Sequence, residues 1–227
     1  MKALLIPVKD PANAKTRLSS LLTLDERRKL AWSMFEDVCD AVSLARSPDR
    51  VVMVTNHTKA TDRARELGWD VLEEDGQTSE SESVDWASRR LAEQGFDTVM
   101  RLPADLPTVR GEDIDAVLSI DLQAPGAVLV PSMDGTGTNA IMRTPATIFR
   151  SRFGPNSLAL HKQEAAQAGF ECTIVNNVRI ALDVDEPGDL ERLFDVAITG
   201  RTLDVLREIN VRARLLDLKN RRKRASG

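Results

Sequence analysis

An α/β fold built on a mostly parallel sheet is what this sequence predicts, and three observations predict it. Short apolar, β-branched runs alternate with longer stretches whose apolar residues recur at helical spacing. Two of the short runs end at an aspartate, Asp105 and Asp183. No repeat and no linker-like stretch interrupts the alternation, so one domain accounts for it.

Residues 3–8 read as the first strand. A long helix is expected over 23–45, because Thr23 with Glu26 makes a capping box. Leu30, Met34, Val38 and Ala41 line one face of it, widened by Ala31, Phe35 and Val42. Residues 50–55 form a second strand, 59–67 a helix and 70–72 a short strand. The polar, acidic stretch 74–83 is expected to be a loop, and 84–94 a helix ended by Gly95. Residues 97–102 make a central strand that runs out into a Pro-flanked turn holding Asp105, and 112–119 a helix. Strands at 126–131 and 138–143 flank the turn Asp134-Gly135-Thr136-Gly137. A helix over 156–168, a strand over 179–184 and a helix over 188–199 complete the pattern. The sheet is therefore Rossmann-like, with helices on both faces.

Composition narrows the class. At 227 residues, 42% hydrophobic and 29% charged, the chain is an ordinary globular protein with enough length for a well-filled core. No apolar stretch approaches the roughly 20 residues that a bilayer crossing needs. The N-terminal run reads as a strand and not a signal peptide, so a cytoplasmic location is expected. Cys39 and Cys172 are expected to be free thiols, and His57 and His161 are the only histidines, which leaves zinc or Ser-His-Asp chemistry little to build on. A net charge of −4 and 4% aromatic residues argue against nucleic-acid binding. The basic run Lys219-Asn220-Arg221-Arg222-Lys223-Arg224 is the exception; it follows an amphipathic stretch, 205–218, expected to be a solvated or dimer-packing extension.

The residues that carry chemistry sit at the sheet's edge. In open α/β sheets ligands bind beyond the carboxyl ends of the strands, where Asp105 and Asp183 are expected. Strand one is followed by a loop with Lys9, Lys15 and Arg17, cations suited to phosphate, although no Walker A glycines are present. Two strand-end aspartates and a basic loop point to a Mg²⁺-dependent site for a nucleoside triphosphate, with Asp105 and Asp183 as ligands. Asp185 is either a helper in that site or the cap of the following helix. The Gly135-Thr136-Gly137-Thr138 segment would let backbone approach an anion, or is a plain hairpin turn. Ser157 falls in the first turn of a helix, where partial positive charge favours an anion, and Arg152 could pair with the same anion.

Five segments, in order over residues 1–195, also carry a family resemblance. They are Ile6-Pro7-Val8-Lys9 with Ala14-Lys15-Thr16-Arg17-Leu18 and Asp25-Glu26-Arg27, then Ala104-Asp105-Leu106-Pro107, Gly135-Thr136-Gly137-Thr138, Arg152-Phe153-Gly154-Pro155-Asn156-Ser157 and Leu182-Asp183-Val184-Asp185-Glu186-Pro187. Together they resemble the guanylyltransferases that make coenzyme F-420, in the superfamily of molybdenum-cofactor and sugar-nucleotide transferases. The resemblance implies the nucleotide-diphospho-sugar transferase fold. Residues 1–200 are expected to be the nucleotidyltransferase domain and 201–227 a helical, basic extension, about which the resemblance says nothing. It implies transfer of GMP from GTP to phosphoenolpyruvate, 2-phospho-L-lactate or 3-phospho-D-glycerate, with loss of pyrophosphate. Lys15, Arg17 and Asp105 would be catalytic. Pro7, Val8, Lys9, Lys15 and Arg17 would contact the nucleotide, Thr138, Gly154 and Ser157 the acid, and Asp105 and Asp183 the Mg²⁺. A homodimer is compatible with it.

One segment departs from the family pattern. Where relatives carry a nucleotide-contacting Asn, this chain has Glu80-Ser81-Glu82-Ser83-Val84-Asp85, with Ser83 as the candidate replacement. Two other readings remain at this point. A transferase for a sugar phosphate or molybdopterin is disfavoured by the missing Gly-rich first loop. A non-catalytic nucleotide- or nucleic-acid-binding protein is disfavoured by the retention of both aspartates.

Overall fold

The computed structural model describes residues 1–10, 15–74, 76, 79–196 and 198–225. Residues 11–14 of the basic loop, 75, 77 and 78 of the acidic stretch, 197 of the last expected helix, and 226–227 lie outside the described residues. The strands are β1 (Lys2–Pro7), β2 (Arg50–Val54), β3 (Asp70–Leu72), β4 (Thr98–Arg101), β5 (Gly126–Pro131), β6 (Thr138–Thr144) and β7 (Thr173–Ile174). The helices are α1 (Leu24–Leu44), α2 (Thr58–Glu66), α3 (Glu80–Glu93), α4 (Gly111–Leu118), α5 (Ser157–Gln167), α6 (Val178–Ala181), α7 (Pro187–Asp195), α8 (Arg201–Glu208) and α9 (Val211–Ala225).

Among the described residues the strands form one seven-stranded sheet of order β3-β2-β1-β4-β6-β5-β7. β1 lies parallel to β2 and β4, β2 to β3, and β5 to β7, whereas β6 is antiparallel to both of its neighbours. Successive side chains of a strand leave on opposite faces, so β1 feeds two cores. Leu4 and Ile6 pack with Phe35, Val38 and Val42 of α1 on one face. Ala3 and Leu5 pack with Val84, Ala87 and Leu91 of α3 on the other. Both faces of β1 are thus buried, which is why it reads as a continuous apolar run.

Local chemistry sets the ends of the expected helices. The Thr23–Glu26 capping box is formed, with the Glu26 N–H donating to Thr23 Oγ1 and the Thr23 N–H to Glu26 Oε2. Cys39 and Cys172 are free, as expected. No helix of the described residues is long and apolar enough to cross a membrane.

Three expectations need correction. The acidic stretch does not run as a loop to residue 83: α3 starts at Glu80, because the Ser79 hydroxyl accepts the Glu82 N–H at 3.2 Å and acidic residues favour a helix N-terminus. Residues 179–184 are not a strand. The Asn177 side chain caps the N–H groups of Arg179 and Ile180, both at 3.0 Å, and Arg179 pairs with Asp113 of α4 at 2.7 Å. Those bonds produce the short α6, followed by an irregular run to residue 186. The partner of β5 is instead Thr173–Ile174, too short and exposed to leave a periodic signal.

The segment after residue 200 is the third. It is helical, as expected, but not solvated: Val205, Leu206, Ile209, Val211 and Leu215 of this segment are buried. They share a core with Leu30 and Met34 of α1, Leu190 and Leu193 of α7, and Leu182 and Val184. Asp37 of α1 accepts the N–H groups of Arg201 and Thr202, each at 2.8 Å, which caps α8 against α1. Arg214 of α9 grips Glu26 through both oxygens, at 2.7 and 2.8 Å.

Close approach of α4 to α1 depends on Gly111. A Cβ there would lie 2.8 Å from the Leu44 carbonyl carbon and 2.9 Å from the Ala45 nitrogen, both backbone atoms that cannot swing aside. Gly111→Ala is expected to destabilise the protein by about 1–3 kcal/mol through overpacking. Urea midpoints of the two proteins measure it; equal midpoints would show that the helices part freely.

Candidate active site

The carboxyl ends of β1 and β4 open into a cleft of about 840 Å³. Its floor is built from segments far apart in the chain. Lys15 adopts a left-handed backbone conformation (φ 54°) just before the helical turn Thr16–Leu18, and its side chain, 8% exposed, turns into the cleft. Its Nζ donates to Asp105 Oδ2 at 2.6 Å and to Asp185 Oδ1 at 2.9 Å. Burial opposes the ammonium charge, but the two carboxylates outweigh burial and raise the Lys15 pKa above its ordinary value. Burial likewise pushes Asp105 up, while Lys15 and Arg101 pull it below the usual carboxylate range.

Asp183 lines the same cleft, in the irregular run after α6 and not at a strand end. Leu182 and Val184 on either side of it are fully buried in the core that includes α8 and α9. Asn139 of β6 holds it from the front: its amide nitrogen reaches Asp183 Oδ1 at 3.0 Å and the carbonyls of Ile180 and Ala181 at 2.9 and 2.8 Å. Burial, with the neighbouring charges of Asp105 and Asp185, raises the Asp183 pKa to about 6, against the lowering bond from Asn139. Sequence reading missed Asn139, whose role depends on a segment 41 to 44 residues away.

Asp185 is not the cap of α7. Its carboxylate is taken by Lys15, and Asp189 accepts the N–H groups of Asp185 and Glu186 at 3.0 and 2.9 Å. An acid three positions into a helix is the reciprocal half of a capping box, a signal that was available in the sequence.

Among the described residues no three Asp, Glu, His or Cys side chains are grouped closely enough to hold a metal by themselves. The donors nevertheless suit a hard divalent cation: Asp105 and Asp183 offer carboxylate oxygens, and such ions complete their shell with water and phosphate oxygens. The ammonium of Lys15, held between two carboxylates, shows that this end of the cleft attracts positive charge.

Pro7, Val8, Lys9 and Arg17 line the wall beside Lys15, next to Trp32 and Phe35 of α1. Ser83 is not part of the cleft. It is buried in the first turn of α3, its hydroxyl 2.8 Å from Glu74 Oε1 and 2.9 Å from the Ser79 carbonyl. One turn earlier, Glu80 faces the cleft instead and is ion-paired with Arg101, the last residue of β4. The Arg101 guanidinium donates to the Asn139 carbonyl at 2.8 Å and lies 4.3 Å from the Phe153 ring centroid. Its Nε has no partner among the described residues. Neither Glu80 nor Arg101 was singled out by sequence, because each is one charge in a charge-rich segment.

The opposite wall brings together Thr138, Gly154 and Ser157. Asp134 accepts from the Ser132 hydroxyl at 2.6 Å and from the Thr136 N–H and hydroxyl at 2.9 Å each, which makes the β5–β6 turn rigid. The Leu158 N–H donates to the Thr136 carbonyl at 3.1 Å, so the turn and the start of α5 are one unit. A Cβ at Gly137 would lie 2.7 Å from Ser132 Oγ and would displace that side chain from its bonds to the Gly137 N–H and Asp134. Gly154, at φ 120°, and Asn156, at φ 58°, turn the chain into α5 and leave Ser157 as its first residue. Arg152 is not aimed at this wall; its Nε pairs with Glu164 at 2.6 Å.

Behind the wall is His161, fully buried, with Nε2 accepting the Arg152 N–H at 2.8 Å and Nδ1 3.0 Å from Thr138 Oγ1. Burial first, then the charges of Arg143 and Arg101, lower its pKa to about 3.

The family model described as "Guanylyl transferase CofC like" matches residues 1–224. A phosphoenolpyruvate guanylyltransferase of Sphaerobacter thermophilus is 31% identical over 199 residues, 88% of this chain and 95% of its own. A 3-phospho-D-glycerate guanylyltransferase of Colwellia psychrerythraea is 30% identical, covering 84% of this chain and 90% of its own. A 2-phospho-L-lactate guanylyltransferase of Methanothermobacter thermautotrophicus is 32% identical, covering 84% and 82%. The crystal structure of a putative nucleotide-diphospho-sugar transferase from Desulfovibrio desulfuricans superposes with a TM-score of 0.74 at 19% identity, over 95% of this chain and 97% of that one. The fold is therefore the nucleotide-diphospho-sugar transferase fold expected above.

The low His161 pKa has a thermodynamic sign. Below 6.5 the unfolded chain binds a proton that the folded one refuses down to about 3, so stability present above pH 6.5 is lost as pH falls. From pH 6 to 5 the wild type is expected to lose about 1.4 kcal/mol per unit more than His161→Gln. Urea titrations of both proteins at several pH values measure the difference; parallel slopes would mean that His161 titrates normally in the fold.

Proposed function

The chain belongs to the family of CofC-like guanylyl transferases, and from that premise we propose that it transfers GMP from GTP to a small phosphorylated three-carbon acid. Pyrophosphate is released, and the product is the activated guanylyl intermediate of coenzyme F-420 synthesis. The observation that carries this reading is the pairing of two unlike walls in one cleft. Acidic and basic side chains gather around Lys15 on one, and hydroxyl groups at a helix N-terminus face them on the other.

Chemically, a phosphate oxygen of the acid attacks the α-phosphorus of GTP, forming a new P–O bond. The bond from the α-phosphorus to the bridging oxygen breaks, and its electrons leave with pyrophosphate. The protein's part is positioning and charge compensation. Lys9 and Arg17 are exposed on the wall beside β1 and supply positive charge for the triphosphate; the Arg17 guanidinium is a fixed fork and the lysines are point charges. Lys15 stays protonated and keeps Asp105 ionised. Asp105 and Asp183 would hold Mg²⁺, which when bound neutralises phosphate charge as a hard Lewis acid. Pro7, Val8, Trp32 and Phe35 offer an apolar surface for the base.

The acid belongs against Thr138, Gly154 and Ser157. The α5 N-terminus favours an anion, and Ser157 adds a hydroxyl at its first residue. Relatives at 30–32% identity are named for three different acids, so identity alone does not select the acceptor. A parallel assay of phosphoenolpyruvate, 2-phospho-L-lactate and 3-phospho-D-glycerate against GTP, ATP, CTP and UTP, read as pyrophosphate release, tests the proposal. Release with none of these pairs would refute it.

Three substitutions examine the roles. Asp105→Asn or Asp183→Asn is expected to lower turnover at least about a hundredfold with an unchanged far-UV spectrum. Normal turnover in either would remove that residue from the metal pair. Ser157→Ala is expected to raise the KM for the acid about tenfold, the scale of one hydrogen bond, and to leave the KM for GTP nearly unchanged. An unaltered KM for the acid would take Ser157 out of the acceptor wall.

A further inference from the structure

A threonine hydroxyl can donate or accept, and what Thr138 offers the cleft depends on the bond it makes behind the wall. Among the described residues its hydroxyl has one partner, the Nδ1 of His161 at 3.0 Å. The other ring nitrogen decides the direction of that bond. The backbone N–H of Arg152 donates to Nε2 at 2.8 Å, so Nε2 presents a lone pair and carries no proton. A neutral imidazole with a bare Nε2 must carry its proton on Nδ1.

The surroundings keep the ring neutral. His161 has no exposed surface, its ring lies 5.2 Å from that of Phe153 and 6.2 Å from that of Phe149, and Arg143, Arg101 and Arg152 are the nearby cations. Asp85, the carboxylate on this side, is taken up by Arg143 at 2.9 Å and by the Ser151 hydroxyl at 2.7 Å. The Nδ1–H of His161 therefore donates to Thr138 Oγ1. Thr138's own O–H is then left to donate toward the cleft.

We propose that His161 is a positioning residue which, through a single fixed tautomer, turns Thr138 into a hydrogen-bond donor for an anionic oxygen of the acceptor acid. The inference rests on the placement of the acid against Thr138 and adds what aims the hydroxyl. The relay supplies this wall with a donor that carries no charge of its own, since the imidazole is neutral and the Thr138 O–H does the donating. His161 touches no substrate itself.

The two amide residues separate the ring's functions, because Asn can mimic Nδ1 and Gln can mimic Nε2. His161→Gln keeps an acceptor for the Arg152 N–H and loses the donor to Thr138. It is expected to raise the KM for the acid that turns over fastest among the three above by about tenfold, with the KM for GTP within twofold. His161→Asn retains the donor and is expected to recover most of that loss. In a Thr138→Val background, itself raised about tenfold, His161→Gln is expected to add less than twofold. The same factor in both backgrounds, or an unchanged KM for the acid in His161→Gln, would overturn the inference. Thr138→Val without effect would instead remove the acceptor wall on which the inference stands, a distinguishable result. Nitrogen-15 NMR of the unaltered protein gives a reading that needs no variant: protonated Nδ1 and bare Nε2 support the inference, and the opposite tautomer refutes it.

Discussion

Three carboxylates in one cleft repel one another, and the ammonium of Lys15 is what lets the fold hold them there. Asp105 and Asp185 both bond to it, at 2.6 and 2.9 Å, across sequence separations of 90 and 170 residues. A buried charge stripped of its partner costs about 3–5 kcal/mol, so the three segments that supply these groups are bound to one geometry. The loop after β1, the turn after β4 and the run before α7 each converge on this point. Asp183 stands next to the pair without sharing the cation; burial above all, and then the charges of Asp105 and Asp185, raise its pKa.

Much of the remaining structure serves to hold Asp183 in place. It has no strand ladder to fix it, so packing and side-chain bonds act instead. Leu182 and Val184 anchor the run from behind in the core formed with α1, α7, α8 and α9. Asn139 fixes it from the front by taking two carbonyls and one carboxylate oxygen. The C-terminal helices are therefore part of the site's support, though none of their residues lines the cleft.

The facing wall works on a different principle. It offers hydroxyl groups and a helix N-terminus, which suits the small acid proposed to bind there beside the triphosphate. Arg101 lies beneath, its charge balanced by Glu80 and spread over the Phe153 ring. His161 is kept neutral between it and Arg143. Opposed chemistries on the two walls fit the proposed pair of negatively charged substrates, which could then meet without sharing one cation.

What the sequence by itself determined is whatever repeats locally or stands in short order along the chain. The alternation of apolar runs announced β1, β2 and β4, and the Thr23–Glu26 box announced the start of α1, because both signals lie within one turn or one strand. The ordered motifs around Lys15, Asp105, Thr138, Ser157 and Asp183 pointed to one cleft for the same reason. Only the tertiary structure decided that Asp183 leaves an irregular run, that Asp185 serves Lys15 while Asp189 caps α7, and that Glu80 takes the cleft position expected of Ser83. It alone showed Val205 and Leu215 to be core. Each of these outcomes depends on a hydrogen bond or contact between residues distant in sequence, and a bond of that kind leaves no periodic mark in the segments it joins.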